Sequence, residues 1–124
     1  MAVEQYRQYI TTLLSERAQQ SIGPSKAEEY EVQTLFDVEQ DHYQLLHVGW
    51  CTNRRKFDCI LHLDIKNGQI WIQNDYTEEG IANQLVEMGV PRNDIVLAFH
   101  EPSVRQYTEF STGKEKSLQL HISS

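Results

Sequence analysis

His47, His62, Asp64 and Gln73 lie in one β-like stretch of this chain, with Trp71 beside Asp64 across a hairpin. Two imidazoles and a carboxylate are the parts of a general acid–base pair or of a divalent metal site. A metal needs three or four donors converging at about 2.0–2.3 Å. His62 and Asp64 stand two residues apart on one strand, so they project in parallel rather than converge. No H-E-x-x-H or paired C-x-x-C pattern supports them. The spacing therefore predicts no metal, no cofactor and no catalytic set. His47, His62, Asp64, Trp71 and Gln73 read instead as one sheet face open to a partner, since large aromatics are enriched in contact cores.

Nucleophilic chemistry is equally unsupported. Cys59 is predicted in the core, where a thiol is normally inert. Cys51 lies near a basic turn, yet no local base accompanies it. G-x-S-x-G, Walker and G-x-G-x-x-G patterns are absent, as are the acid arrays of two-metal nucleases. These residues do not describe an enzyme. The single tight basic cluster is Arg54-Arg55-Lys56, which could contact phosphate or an acidic partner, or simply solvate a hairpin tip. Arg92 and Arg105 widen it only if the fold brings them near. The net charge of −7, from 18 acidic and 11 basic residues, argues against a protein that coats nucleic acid through phosphate contacts.

The elements that must position these residues form an antiparallel meander. Four β-length runs, 30–38, 42–50, 56–65 and 69–74, follow one another with short turns. Asn67-Gly68 fits a two-residue type I′ loop. That turn sets Ile65 opposite Ile70, Leu63 opposite Ile72 and Leu61 opposite Asn74. Strict alternation then puts Phe57, Cys59, Leu61, Leu63, Ile65, Ile70 and Ile72 on one core face, joined by Leu46, Val48 and Trp50. Tyr30, Val32, Phe36 and Val38 give the first run one apolar side, as in a half-buried edge strand. The two cysteines fall on opposite faces of adjacent strands, which disfavours a disulfide and suits a reducing compartment.

Apolar positions Val3, Tyr6, Ile10, Leu13 and Leu14 draw a stripe along an N-terminal helix that Gly23-Pro24 stops. Asp75 with Glu78, or Thr77, marks the start of a second helix carrying Ile81, Leu85 and Met88. Gly89 and Pro91 end it. Both helices are expected on the apolar sheet face. For 91–100, Pro91 and the Ile95/Phe99 spacing favour a short helix, and Ile95-Val96-Leu97 equally fits a fifth strand. Residues 104–110 are expected to be irregular and held by Tyr107 and Phe110. A length of 124 residues with 40% apolar content suits one α+β domain over 1–110 and a polar tail over 111–124. In that tail Leu118, Leu120 and Ile122 alternate as in a short strand. No secretory signal or membrane span is read from the sequence, and a cytoplasmic location is expected.

The chain resembles the XisI family, excision-controlling factors associated with the cyanobacterial fdxN element. The resemblance is carried by Glu31-Val32-Gln33-Thr34-Leu35-Phe36-Asp37, by the run from Asp41 to Trp50, and by the run from His62 to Gln73. It continues through Leu85 to Pro91, Asp94 to His100 and Arg105 to Thr108, and so spans about Val3 to Phe110. It implies a role in programmed excision of a DNA element during differentiation of nitrogen-fixing cells. A separate recombinase cuts DNA there, and a nuclease-like XisH-type protein is the usual companion. The resemblance supplies no catalytic residues. Two functions follow as expectations. One is a non-enzymatic accessory factor bound to a XisH-like partner. The other is a direct DNA-binding or nucleolytic component using Arg54, Arg55, Lys56, His62 and Asp64. Homo-oligomerisation through an edge strand is compatible with either.

Overall fold

In a computed structural model, residues 2–20 and 28–113 are described. They form, in order, α1 (Ala2–Gln20), β1 (Glu28–Asp37), β2 (His42–Cys51), β3 (Arg54–Lys66), β4 (Gln69–Asp75), α2 (Ile81–Met88) and β5 (Ile95–Leu97). Single 3₁₀ turns occupy Arg92–Asp94 and Arg105–Tyr107. The strands make one five-stranded sheet in the order β1-β2-β3-β4-β5. The first four are antiparallel and β5 lies parallel to β4.

The β3–β4 hairpin turns as its sequence dictates. Asn67 (φ 53°) and Gly68 (φ 75°) both take positive φ, as a type I′ turn requires. Ile65 faces Ile70 and Leu63 faces Ile72. The register then slips between His62 and Leu63, so that Leu61 pairs with Asp75 rather than Asn74 and Gln73 is the extra residue. A second slip lies between Leu45 and Leu46 of β2, where Leu45 faces Leu61 and Leu46 faces Cys59. Ile60 is the extra residue there. A β-bulge interrupts alternation, because two residues of one strand oppose one of the other.

The second bulge divides the predicted core face. Leu61, Leu63, Ile65, Ile70 and Ile72 are buried as expected, together with Tyr43 and Leu45 of β2. Phe57, paired with Val48, is 64% exposed, and Trp50 is 49% exposed. Phe57, Trp50, Leu46 and Val48 thus belong to the opposite face. Cys59 is half-buried, its thiol donating to the Leu61 carbonyl at 3.4 Å, and burial raises its pKa. Continuous alternation from 57 to 65 fails because the extra residue reverses the phase.

Helix α1 buries Tyr6, Ile10 and Leu14 against the core, with Val3 and Leu13 partly covered. Each full apolar burial of this kind stabilises by about 1.5–3 kcal/mol. The helix is also tied to the β1–β2 turn, where Arg7 forks onto Asp41 at 2.8 and 3.1 Å. The Arg7 contact, helped by Tyr43, holds the Asp41 carboxyl below its ordinary value against the opposing effect of burial. Helix α2 contributes Ile81, Ala82 and Leu85 to the same core. It begins later than a box at Asp75 and Glu78 would place it. Asp75 instead caps from a distance, its Oδ2 accepting the Ile81 N–H at 2.8 Å while Oδ1 accepts the Thr77 N–H. Gly89 ends the helix at φ 112°, a left-handed cap.

The expected short helix over 91–100 is replaced by a 3₁₀ turn and the strand β5. Ile95 and Val96 are both buried, so adding a parallel strand beside β4 covers both, which a one-sided helix would not. Beyond it, Arg105 organises the irregular segment by donating to the His100 and Ala98 carbonyls at 3.0 and 3.1 Å. Tyr107, 82% exposed, holds nothing down, whereas Phe110 packs on the core. Buried Gln69 donates to Ser111 Oγ and the Asn93 carbonyl, fastening the end of this segment. The stop at Gly23-Pro24 and the alternating Leu118, Leu120 and Ile122 lie outside the described residues.

Candidate functional site

Both helices cover one face of the sheet, and the site lies on the other. On β2 the regular pairing with β1 sends Tyr43 and Leu45 inward, so His42, Gln44, Leu46, Val48 and Trp50 face outward. Across β3 the bulged register sets His42 directly opposite Asp64 and Gln44 directly opposite His62. Asp64 in turn faces Trp71 of β4. Four polar side chains therefore meet on adjacent strands, and the bulge at Gln73 lets a fifth reach in.

Asp64 is their centre, with its side chain only 7% exposed. Its Oδ1 lies 2.6 Å from His42 Nδ1 and 2.9 Å from His62 Nε2. Its Oδ2 accepts from Gln73 Nε2 at 3.2 Å. An ionised carboxylate only accepts, so both imidazoles donate to it. His62 Nδ1 then accepts from the Gln44 amide at 3.0 Å. Burial pushes the Asp64 carboxyl upward, but the hydrogen bonds from His42 and His62, with their charge interactions, outweigh it and hold the group below its ordinary value. His42 is half exposed. Beside the cluster is an open depression of about 440 Å³, lined also by Leu35, Phe36 and Asp37. The arrangement can hold a proton, orient a water or gather donors around a cation. No serine or cysteine is among the residues lining the depression.

Of the residues expected on this face, the structure brings together His62, Asp64 and Gln73. Trp71 is adjacent but half-buried, with Lys66 5.1 Å and Arg105 5.6 Å from its ring. The backbone at Gly113 approaches its edge so closely that an added Cβ would sit 2.6 Å from the ring. It is occupied within the chain rather than offered as an exposed aromatic. His47 is on the other face. It pairs with Val32 and lies 4.8 Å from the Tyr30 ring, because β2 runs in the phase that buries Tyr43 and Leu45. The missed residue is His42. An uninterrupted ladder from the Cys51–Arg54 pair would set Leu63 opposite it, and only the extra residue at Ile60 moves Asp64 into place.

The basic run lies apart from this cluster, where Arg54, Arg55 and Lys56 line a smaller depression of about 280 Å³ with Cys51 and Asp58. Thr52 and Asn53 alone form the turn, and Arg54, Arg55 and Lys56 are the first residues of β3, on alternating faces. Arg55 lies over Trp50 and Phe57 on the outer face, while Lys56 reaches Tyr30 and pairs with Asp58 at 3.1 Å. Arg92 bonds Glu109, and Arg105 lies at Trp71. Neither joins the turn. Among the described residues no helix is long and apolar enough to cross a membrane.

Fold and site together define a small α+β domain whose sheet has one helix-covered face and one open face bearing a histidine–carboxylate cluster. The chain belongs to the XisI family, matching the family described as XisI protein over residues 1–112. It is similar to the solved structure of a XisI-like protein from Anabaena variabilis ATCC 29413, with 40% identity and a TM-score of 0.80, over 90% of this chain and 98% of that one. It is likewise similar to the structure of the fdxN element excision controlling factor XisI from the same organism, with 32% identity and a TM-score of 0.78, over 90% and 99% of the two chains. No protein of curated function matches the chain.

Proposed function

We propose that this protein is a non-enzymatic accessory factor controlling programmed excision of a DNA element, acting through contact with a XisH-like partner. The observation that carries the reading is the similarity, over nearly the full length of both chains, to an fdxN element excision controlling factor. The net charge of −7 and the Asp58 carboxylate beside Arg54, Arg55 and Lys56, paired with Lys56 at 3.1 Å, favour protein contact over phosphate contact. The docking surface on this reading is the outer sheet face. There Trp50 and Phe57 are exposed around Arg55, with Leu35 exposed toward the His42–Asp64 end. Aromatic and arginine side chains of this kind supply most of the binding energy in protein interfaces.

The test is co-expression with a XisH-like protein, followed by size-exclusion chromatography and calorimetry. A joint peak that Trp50→Ala and Phe57→Ala weaken together is the expected result. Separate elution of two folded proteins overturns the reading. A salt-sensitive shift of element-end DNA by the isolated chain, lost when Arg54, Arg55 and Lys56 become alanine, would establish direct DNA binding instead.

A further inference from the structure

We infer that His42, His62 and Asp64 form a binding site for a divalent transition-metal ion of the Zn²⁺ type. Their donor atoms, one from each residue, all lie within 4.8 Å of one another. Two imidazole nitrogens and one carboxylate oxygen are a donor set that suits Zn²⁺ and its neighbours rather than Mg²⁺ or Ca²⁺, which take oxygen ligands. Three protein ligands also leave a coordination position for water, here on the side of the open depression.

The donor atoms, at most 4.8 Å apart, must shift to accept the ion. Zn–N and Zn–O bonds of about 2.0–2.2 Å in a tetrahedron put donors roughly 3.3–3.5 Å apart. The present Oδ1–N separations are 2.6 and 2.9 Å, so they open by roughly 0.4–0.9 Å. His42, half exposed at the sheet surface, has the freedom to swing by that amount. Neutral imidazoles bind without releasing protons: the N–H of His42 moves to Nε2, and that of His62 moves to Nδ1.

The surrounding groups fit the same reading. A metal-bound histidine donates its other N–H to a fixed acceptor, and a ligating carboxylate is itself hydrogen-bonded. Gln44 already touches His62 Nδ1, and turning its amide presents the oxygen that a metal-bound His62 requires. Gln73 already holds the second oxygen of Asp64. The β-bulges at Ile60 and Gln73 bring Asp64 opposite His42 and Gln73 onto Asp64, and bulges recur where a sheet re-aims side chains at a site. This inference goes beyond the excision reading and does not depend on it, because the isolated chain should bind metal without any partner.

The experiment uses tag-free full-length protein, stripped with a chelator and titrated with ZnCl₂ by calorimetry and with Co²⁺ by its d–d absorption. The expected result is one ion per chain with micromolar or tighter affinity. His42→Ala, His62→Ala and Asp64→Asn should each abolish the Co²⁺ spectrum. Gln44→Leu should weaken binding by roughly 10–100-fold, and His100→Ala should leave it unchanged. Circular dichroism confirms the fold of each variant, and His42, half exposed, can be removed without opening the core. Absence of a Co²⁺ spectrum at millimolar metal with wild-type protein overturns the inference, as does binding that survives His42→Ala and His62→Ala.

Discussion

Replacing Asp64 by asparagine tests whether the carboxylate organises the outer sheet face. The substitution keeps shape and one carbonyl oxygen but removes the charge toward which His42 and His62 donate. Hydrogen bonds to a charged group contribute about 1.5–3 kcal/mol and neutral ones about 1 kcal/mol. For His62, a quarter exposed, the difference is about 1 kcal/mol. For His42, half exposed, water replaces most of it and a few tenths of a kcal/mol remain. Gln73 keeps its bond by turning its amide. Asp64→Asn, without metal, should therefore cost about 1–2 kcal/mol at neutral pH, lowering Tm by about 4–8 °C. Because the folded-state pKa of Asp64 is lowered, its contribution is complete above the ordinary value of 3.8 and is lost as pH falls through the lowered one. Urea unfolding of both proteins across that range should show the deficit of the asparagine variant shrinking toward acid. Equal stability at neutral pH, or a deficit that stays constant into acid, would refute the argument.

Two further outcomes test the framework that holds the site. Gly113→Ala combines φ of 82° with a Cβ 2.6 Å from the Trp71 ring. It should lift the segment after β5, red-shift and quench tryptophan emission, and cost about 1–2 kcal/mol; an unchanged spectrum would contradict that packing. Leu61→Ala removes a fully buried side chain beside the bulge and should cost about 3 kcal/mol in denaturant unfolding. A loss under about 1 kcal/mol would show that Leu61 is not the core residue described.

The Asn67-Gly68 turn, the α1 stripe of Tyr6, Ile10 and Leu14, and the Gly89 cap were legible because each depends on neighbours within a few residues. Turn chemistry, helical periodicity and left-handed glycine are local properties of the chain. The pairing of Ile65 with Ile70 and of Leu63 with Ile72 followed from the same turn, and it placed Asp64 on the outer face correctly. The polarity of Asp64, His62 and Gln73 was equally visible, as was their separation from Leu61, Leu63 and Ile65.

What the sequence could not determine was the phase of β2 and the position of the two bulges. His42-Tyr43-Gln44-Leu45 and Leu46-His47-Val48 alternate equally well in either phase. The choice fell to the space under α1, where Tyr43 and Leu45 fit fully buried against Leu61 and Leu63. Burying that pair requires an extra residue at Ile60, since a strand reverses its outward set with every one-residue shift. That phase of β2 put Trp50 on the open face and sent His47 inward, and the shift in β3 put Phe57 on the open face and brought Asp64 to His42. The cluster is therefore a product of three strands in register, and one strand's sequence holds only two of its members.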